Sequence, residues 1–164
     1  MPFDAPFQLG PFSVAADGRL ALADTTCAPR FHLAWQSRPV HASLTLPEAA
    51  DDAEGWLRLE VVVGRVPSTV GGSGRNDPND LRAGVFSTLR SLPTALPEGW
   101  DMQLLADHRV ALSANIRLAL PTSATTLLTD ITLFLLRLGP YLDMLGEIGV
   151  EAPGPVTEVG MAKT

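Results

Sequence analysis

The stretch FHLAWQSRPVHASLTL, residues 31–46, decides the fold class. Phe31, Leu33 and Trp35 alternate with His32 and Ala34, and Val40, Ala42, Leu44 and Leu46 then alternate with His41, Ser43 and Thr45. A period of two sends every second side chain to the same face of an extended strand, so each arm has one apolar and one polar side. The turn falls near Ser37-Arg38-Pro39, and the pair of arms predicts a β-hairpin with one buried face.

Working outward, the same signal recurs. Phe12 and Val14 precede Asp17-Gly18, with Leu20 and Leu22 beyond it, which predicts a hairpin closed by a two-residue Asp-Gly turn. Residues 47–55 (PEAADDAEG) read as a loop, after which Leu57, Leu59, Val61 and Val63 alternate with Arg58, Glu60 and Val62 as a strand with one wet face. Residues 66–76 (VPSTVGGSGRN) read as a mobile linker. Asp77-Pro78 with Asp80 then marks a helix start, and Leu81, Val85, Leu89 and Leu92 recur at helical spacing, with Phe86 beside them, until Pro93. A third hairpin flanks Asp107-His108, its second arm burying Val110, Leu112, Ala114, Ile116, Leu118 and Leu120. Thr122 or Ser123 caps a last helix with Leu127, Leu128, Ile131, Phe134, Leu135 and Leu138 on it. Pro140 should bend or split that helix, and Tyr141, Leu142, Leu145 and Ile148 continue the stripe. The fold class is therefore α+β: an antiparallel sheet built from hairpins with two helices packed on one face, residues 1–148 forming a single domain and 149–164 a disordered tail.

Composition narrows the function classes. The 164-residue, 17.4 kDa chain is 46% hydrophobic and 18% charged, with mean hydropathy +0.16, which suits a compact globular domain. Net charge −6 and pI ≈ 4.9 have the wrong sign for neutralising phosphates, so nucleic acid is not expected as a partner. Residues 127–145 are interrupted by Asp130, Arg137, Gly139-Pro140 and Asp143, so no membrane span is expected either. The first eleven residues lack the basic and apolar regions of a signal peptide, and the single cysteine, Cys27, cannot form an intramolecular disulfide, which together read as a cytoplasmic protein.

Few residues suggest chemistry. A loop at Gln36-Ser37 would set His32 directly opposite His41 on the polar face, close enough to share an ion, whereas a loop at Ser37-Arg38 would pair them with Ser43 and Ala34 instead. No third ligand is placed by spacing, so no metal or other cofactor is expected. Cys27 with His32 or His108 and Asp107 assembles into a nucleophilic triad only on paper, because no helix start or glycine elbow supports the thiol. Residues 71–75 (GGSGR) match neither a phosphate-binding loop nor a dinucleotide fingerprint, and Asp51, Asp52 and Glu54 lack calcium-loop spacing. Trp35, Trp56 and Trp100 stand at strand ends, where aromatics close a core edge unless exposed as binding anchors.

The order of three strands, a helix, two strands and a C-terminal helix from Phe31 to Ile148 resembles the small secretion-chaperone fold of bacteria and its YbjN-like relatives. Small size and acidic pI agree, while Phe12–Leu22 reads as a hairpin where the family opens with a helix. The resemblance implies a homodimer that binds another protein and performs no catalysis. The last helix is also apolar over more of its circumference than one sheet face can cover. Leu128, Leu135, Leu138 and Tyr141 are therefore the expected dimer or partner surface, with Asp130 and Arg137, seven residues apart, as polar register points along it. The rival expectation is a small metal-dependent or small-molecule-processing enzyme using the polar sheet face.

Overall fold

A computed structural model describes residues 5–22, 28–45, 54–67 and 78–153. Eight strands and two helices follow one another: β1 (Phe7–Leu9), β2 (Phe12–Val14), β3 (Leu20–Leu22), β4 (Arg30–Trp35), β5 (Arg38–Thr45), β6 (Glu54–Arg65), α1 (Pro78–Ser91), β7 (Trp100–Leu104), β8 (Arg109–Ala119) and α2 (Ala124–Glu147). A single 3-10 turn (Leu92–Thr94) ends α1 at Pro93. The strands form a small antiparallel sheet in the order β1-β2-β3 and a larger antiparallel one in the order β4-β5-β6-β8-β7. The architecture is α+β, as the alternation predicts.

Register explains where the core sits. Val40, Ala42 and Leu44 of β5 face Val61, Leu59 and Leu57 of β6, which in turn face Leu112, Ala114 and Ile116 of β8, so the apolar set of each strand lies on one face. These residues join Val85 and Leu89 of α1 and Leu127, Ile131, Phe134, Leu138, Leu142 and Leu145 of α2 in one buried cluster. Of the alternate set, His41, Arg58, Asn115 and Arg117 are exposed, whereas Ala111 and Ser113 in the middle of β8 are buried. Two strand details depart from expectation. β6 begins at Glu54, shortening the loop read over 47–55, and its register shifts between Val62 and Gly64.

Two hairpins share one turn. In Ala16-Asp17-Gly18-Arg19 and Ala106-Asp107-His108-Arg109 a three-residue loop ends in a left-handed residue, Gly18 at φ 83° and His108 at φ 64°. This is the type I turn with a bulge, not the two-residue turn predicted at Asp17-Gly18. Each aspartate accepts the amide of the arginine two residues on, at 3.0 Å from Arg19 and 3.3 Å from Arg109, and is ion-paired to its guanidinium. Desolvation pulls the Asp107 carboxyl upward, but the Arg109 hydrogen bonds and the charges of Arg109 and Arg65 outweigh it and hold it below the usual carboxylate value. Because glycine fills the left-handed position of the first turn without steric conflict and histidine does not, His108→Gly should raise stability by about 0.5 kcal/mol, measured by urea denaturation.

The C-terminal helix and its tail also correct the reading. Ser123 is the cap, its Oγ accepting the Thr126 amide at 3.1 Å, and α2 continues through Pro140 as one 24-residue helix. Proline removes one backbone donor, and the carbonyl it would have bonded belongs to Leu136 on the most exposed part of the helix, where water can replace the lost partner. Beyond α2, Gly149 takes φ 96° and Val150 is buried at 6% exposure. Glu151 exchanges both backbone hydrogen bonds with Arg65, at 2.8 and 2.9 Å, adding a short pairing to the end of β6. The expectation of disorder from residue 149 therefore fails for 149–151, because an apolar side chain and a free strand end both find partners there; residues 154–164 lie outside the described residues.

Candidate functional site: the surroundings of α2

The buried side chains of α2 recur at Ala124, Leu127, Ile131, Phe134, Leu138, Leu142 and Leu145, the spacing of one helical stripe. On the opposite side Leu136 is 67% exposed, Leu133 46% and, nearer one flank, Leu128 50%. The threonines between them are less polar than their sequence implies. Thr129 Oγ1 donates to the Thr125 carbonyl at 2.8 Å and Thr132 Oγ1 to the Leu128 carbonyl at 2.7 Å, so their hydroxyls are turned onto the helix backbone. The exposed side of α2 thus carries three leucines interleaved with internally bonded threonines.

A recess lies on each flank. The larger, about 400 Å³, is apolar and runs between α2 and the β1–β2 and β4 region; Leu128, Leu135 and Ile131 line one wall, and Leu9, Phe12 and Phe31 the other. Its floor is fixed by the edge-to-face contact of Phe12 with Phe31, ring centres 5.9 Å apart, which locks the small sheet against β4. The smaller, about 220 Å³, lies between α2 and the β7–β8 region and is rimmed by Glu98, Asp130 and Arg137 over Trp100 and Phe134. Burial pushes the Asp130 carboxyl above its usual value. Neither Asp130 nor Arg137 has an ion-pair partner among the described residues.

The four residues expected at a dimer or partner surface separate. Leu128 and Leu135 stand together on the apolar groove. Tyr141 lies on the other flank, its ring tilted against Trp100 with centres 5.8 Å apart and its hydroxyl donating to the Ala95 carbonyl at 3.1 Å. Leu138 is wholly buried within the protomer and has no surface with which to meet a second chain. Leu133 and Leu136, which the sequence reading passed over, are the leucines turned outward. The signal that marks them is their angle: Leu136 and Leu133 are about 160° and about 140° around the helix from Leu138, whereas Asp130 and Arg137, at about 80° and about 100°, lie on the flank facing β7–β8.

The remaining candidates are scattered. The Gln36-Ser37 loop is the one that forms, with φ 46° and 60°, and it sets His32 opposite His41. Glu60 follows His41 on β6 but is bonded to Arg58 at 3.3 Å, and no group of three or more His, Cys, Asp or Glu side chains among the described residues could hold a metal. Asp107 and His108 act as turn residues. Trp56 is exposed on the outer sheet face beneath Arg117, whose guanidinium is 5.1 Å from the ring centre; Trp35 and Trp100 are half-buried against the core. Cys27, Asp51, Asp52, residues 71–75, Asp77 and the Asp80 side chain lie outside the described residues, whereas Glu54 pairs with Arg117 at 3.9 Å. No described helix is long and apolar enough to cross a membrane. No family model, curated protein or solved structure matches the chain.

Proposed function

We propose that the chain is a protein-interaction module rather than an enzyme, one that pairs with a second copy through the outer side of α2 and receives an apolar segment of another protein in the groove lined by Leu128 and Leu135. The observation that carries this reading is the exposure of Leu133 and Leu136 on a helix whose intervening threonines are bonded to their own backbone. Contiguous apolar surface of this kind is stabilised by removal from water. Charge supplies the orientation. A two-fold axis beside Leu133, at the edge of the outer side nearest Arg137, runs the two helices antiparallel and brings each Asp130 toward the partner's Arg137, so two charges with no ion-pair partner among the described residues each gain a counterion.

The strand-strand-strand-helix-strand-strand-helix order from β4 to α2 is the order on which the resemblance to the secretion-chaperone and YbjN-like domains rests, and a homodimer holding a polypeptide is what such kinship implies. The single cysteine supports a working place in the reducing cytoplasm. Sedimentation equilibrium tests the pairing. The parent should sediment as a dimer at micromolar concentration and Leu136→Asp as a monomer of unchanged circular dichroism, since Leu136 makes little contact within its own protomer. A monomeric parent, or a variant as dimeric as the parent, contradicts the reading.

A further inference from the structure

The β4–β5 hairpin carries a feature that dimerisation does not use. Its two-residue loop makes Trp35 and Arg38 the closing pair, which exchange backbone hydrogen bonds, and pairs then alternate along the ladder. Ala34 and Pro39 form a non-hydrogen-bonded pair, Leu33 and Val40 a hydrogen-bonded one, and His32 and His41 again a non-hydrogen-bonded one. At such positions Cα atoms approach to about 4.5 Å and the side chains project side by side from the same face. Both histidines are exposed, and neither imidazole is held in a hydrogen bond or ion pair among the described residues.

We propose that His32 and His41 form a two-imidazole binding site for a late first-row divalent ion such as Ni²⁺, Cu²⁺ or Zn²⁺. Neutral imidazole is the common protein ligand for these ions, whereas oxygen donors suit Mg²⁺ and Ca²⁺. Once one ring binds, the second is already held within reach by the ladder, so the pair binds more tightly than a lone histidine. Water, or a donor atom from a bound molecule, fills the other coordination positions. The hairpin is registered on one side by β5–β6 pairing from Val40↔Val61 to Thr45↔Trp56, so the separation of the two Cα atoms is set before the metal binds and only the two side-chain rotamers have to be ordered.

Isothermal titration of the full, tag-free chain with NiCl₂ tests this, with CuCl₂ and MgCl₂ as comparison ions. The expected result is one Ni²⁺ per chain at micromolar affinity, tighter binding of Cu²⁺ and no heat with Mg²⁺. His32→Ala and His41→Ala should each weaken Ni²⁺ binding about tenfold or more, while His108→Ala, on a distant turn, leaves it unchanged. Both substitutions are at exposed positions, so folding is preserved and can be checked by thermal denaturation. Absence of stoichiometric Ni²⁺ binding, or equal loss on replacing His108, overturns the proposal.

Discussion

Leu138→Ala should destabilise the protein by about 3 kcal/mol and lower its melting temperature by about 6–12 °C. Leu138 has no exposed surface and sits in the middle of the buried stripe of α2, between Phe134 and Leu142, within the cluster that includes Leu57, Leu59 and Leu112. Removing its isobutyl group forfeits the transfer free energy of those carbons, and the flanking strands, fixed by ladder hydrogen bonds on both sides of β6, cannot close the void. Leu136→Ala, two residues earlier, removes the same atoms from an exposed position and should alter monomer stability by less than about 0.5 kcal/mol. Denaturant melts at concentrations low enough to keep both variants monomeric separate the two roles. Similar losses in the pair would mean that the buried and outward faces of α2 have been wrongly assigned.

Gly64→Ala is expected to cost about 2 kcal/mol, and for a different reason. A Cβ at Gly64 would lie 2.5 Å from the Glu151 carbonyl oxygen and 2.5 Å from Val150 Cγ1, and the first of these is backbone that cannot rotate away. The segment after α2 would have to lift from β6, breaking the paired hydrogen bonds between Arg65 and Glu151 and exposing Val150. Limited proteolysis should accordingly cut after α2 in the variant and spare the parent. Gly84→Ala is the matched control: nothing lies within 4 Å of a Cβ there, and in the interior of α1 alanine should instead add about 0.5–1 kcal/mol.

Period-two alternation made most of the sheet legible, because a strand with one buried face writes its register into every second residue. Leu57 to Val63 is the clearest case, whereas in β8 the alternation of the sequence shows in the burial only from Ala114 on, since Val110 to Ala114 are all buried. The turns were harder. Asp17-Gly18 suggested a two-residue turn because Asp-Gly favours one, yet the aspartate is spent on the amide of Arg19 and only the glycine goes left-handed. The shared pattern Ala-Asp-Gly/His-Arg at residues 16–19 and 106–109 would have revealed the common geometry. Unlike β2 and β3, β1 has no Asp-Gly signal beside it, its turn to β2 being Gly10-Pro11, and the pairing of Glu151 with β6 is an edge contact of one residue that leaves no pattern at all.

The surroundings of α2 were legible in part. An excess of apolar residues can be counted in a sequence, but which of them face outward depends on how the helix is rotated on the sheet, and that rotation involves packing from other elements, such as Trp100 on Phe134 and Tyr141. Leu138 belonged to the stripe centred on the core, while Leu133 and Leu136 lie off that stripe, on the side that also carries Thr129 and Thr132. The hydroxyl bonds to the carbonyls of Thr125 and Leu128 are what make that side apolar. Such bonds are visible only in coordinates.

The antiparallel pairing of α2 is the central claim, and a charge exchange tests it most directly. Sedimentation equilibrium of Asp130→Arg, of Arg137→Asp and of the chain carrying both substitutions compares the two sets of contacts across the proposed two-fold axis. Each single change places like charges together and should weaken the dimer about tenfold or more, whereas the double change restores opposite charges on both sides and should recover parent-like association. A double variant no more dimeric than either single one, or three variants that all associate as the parent does, would contradict the account.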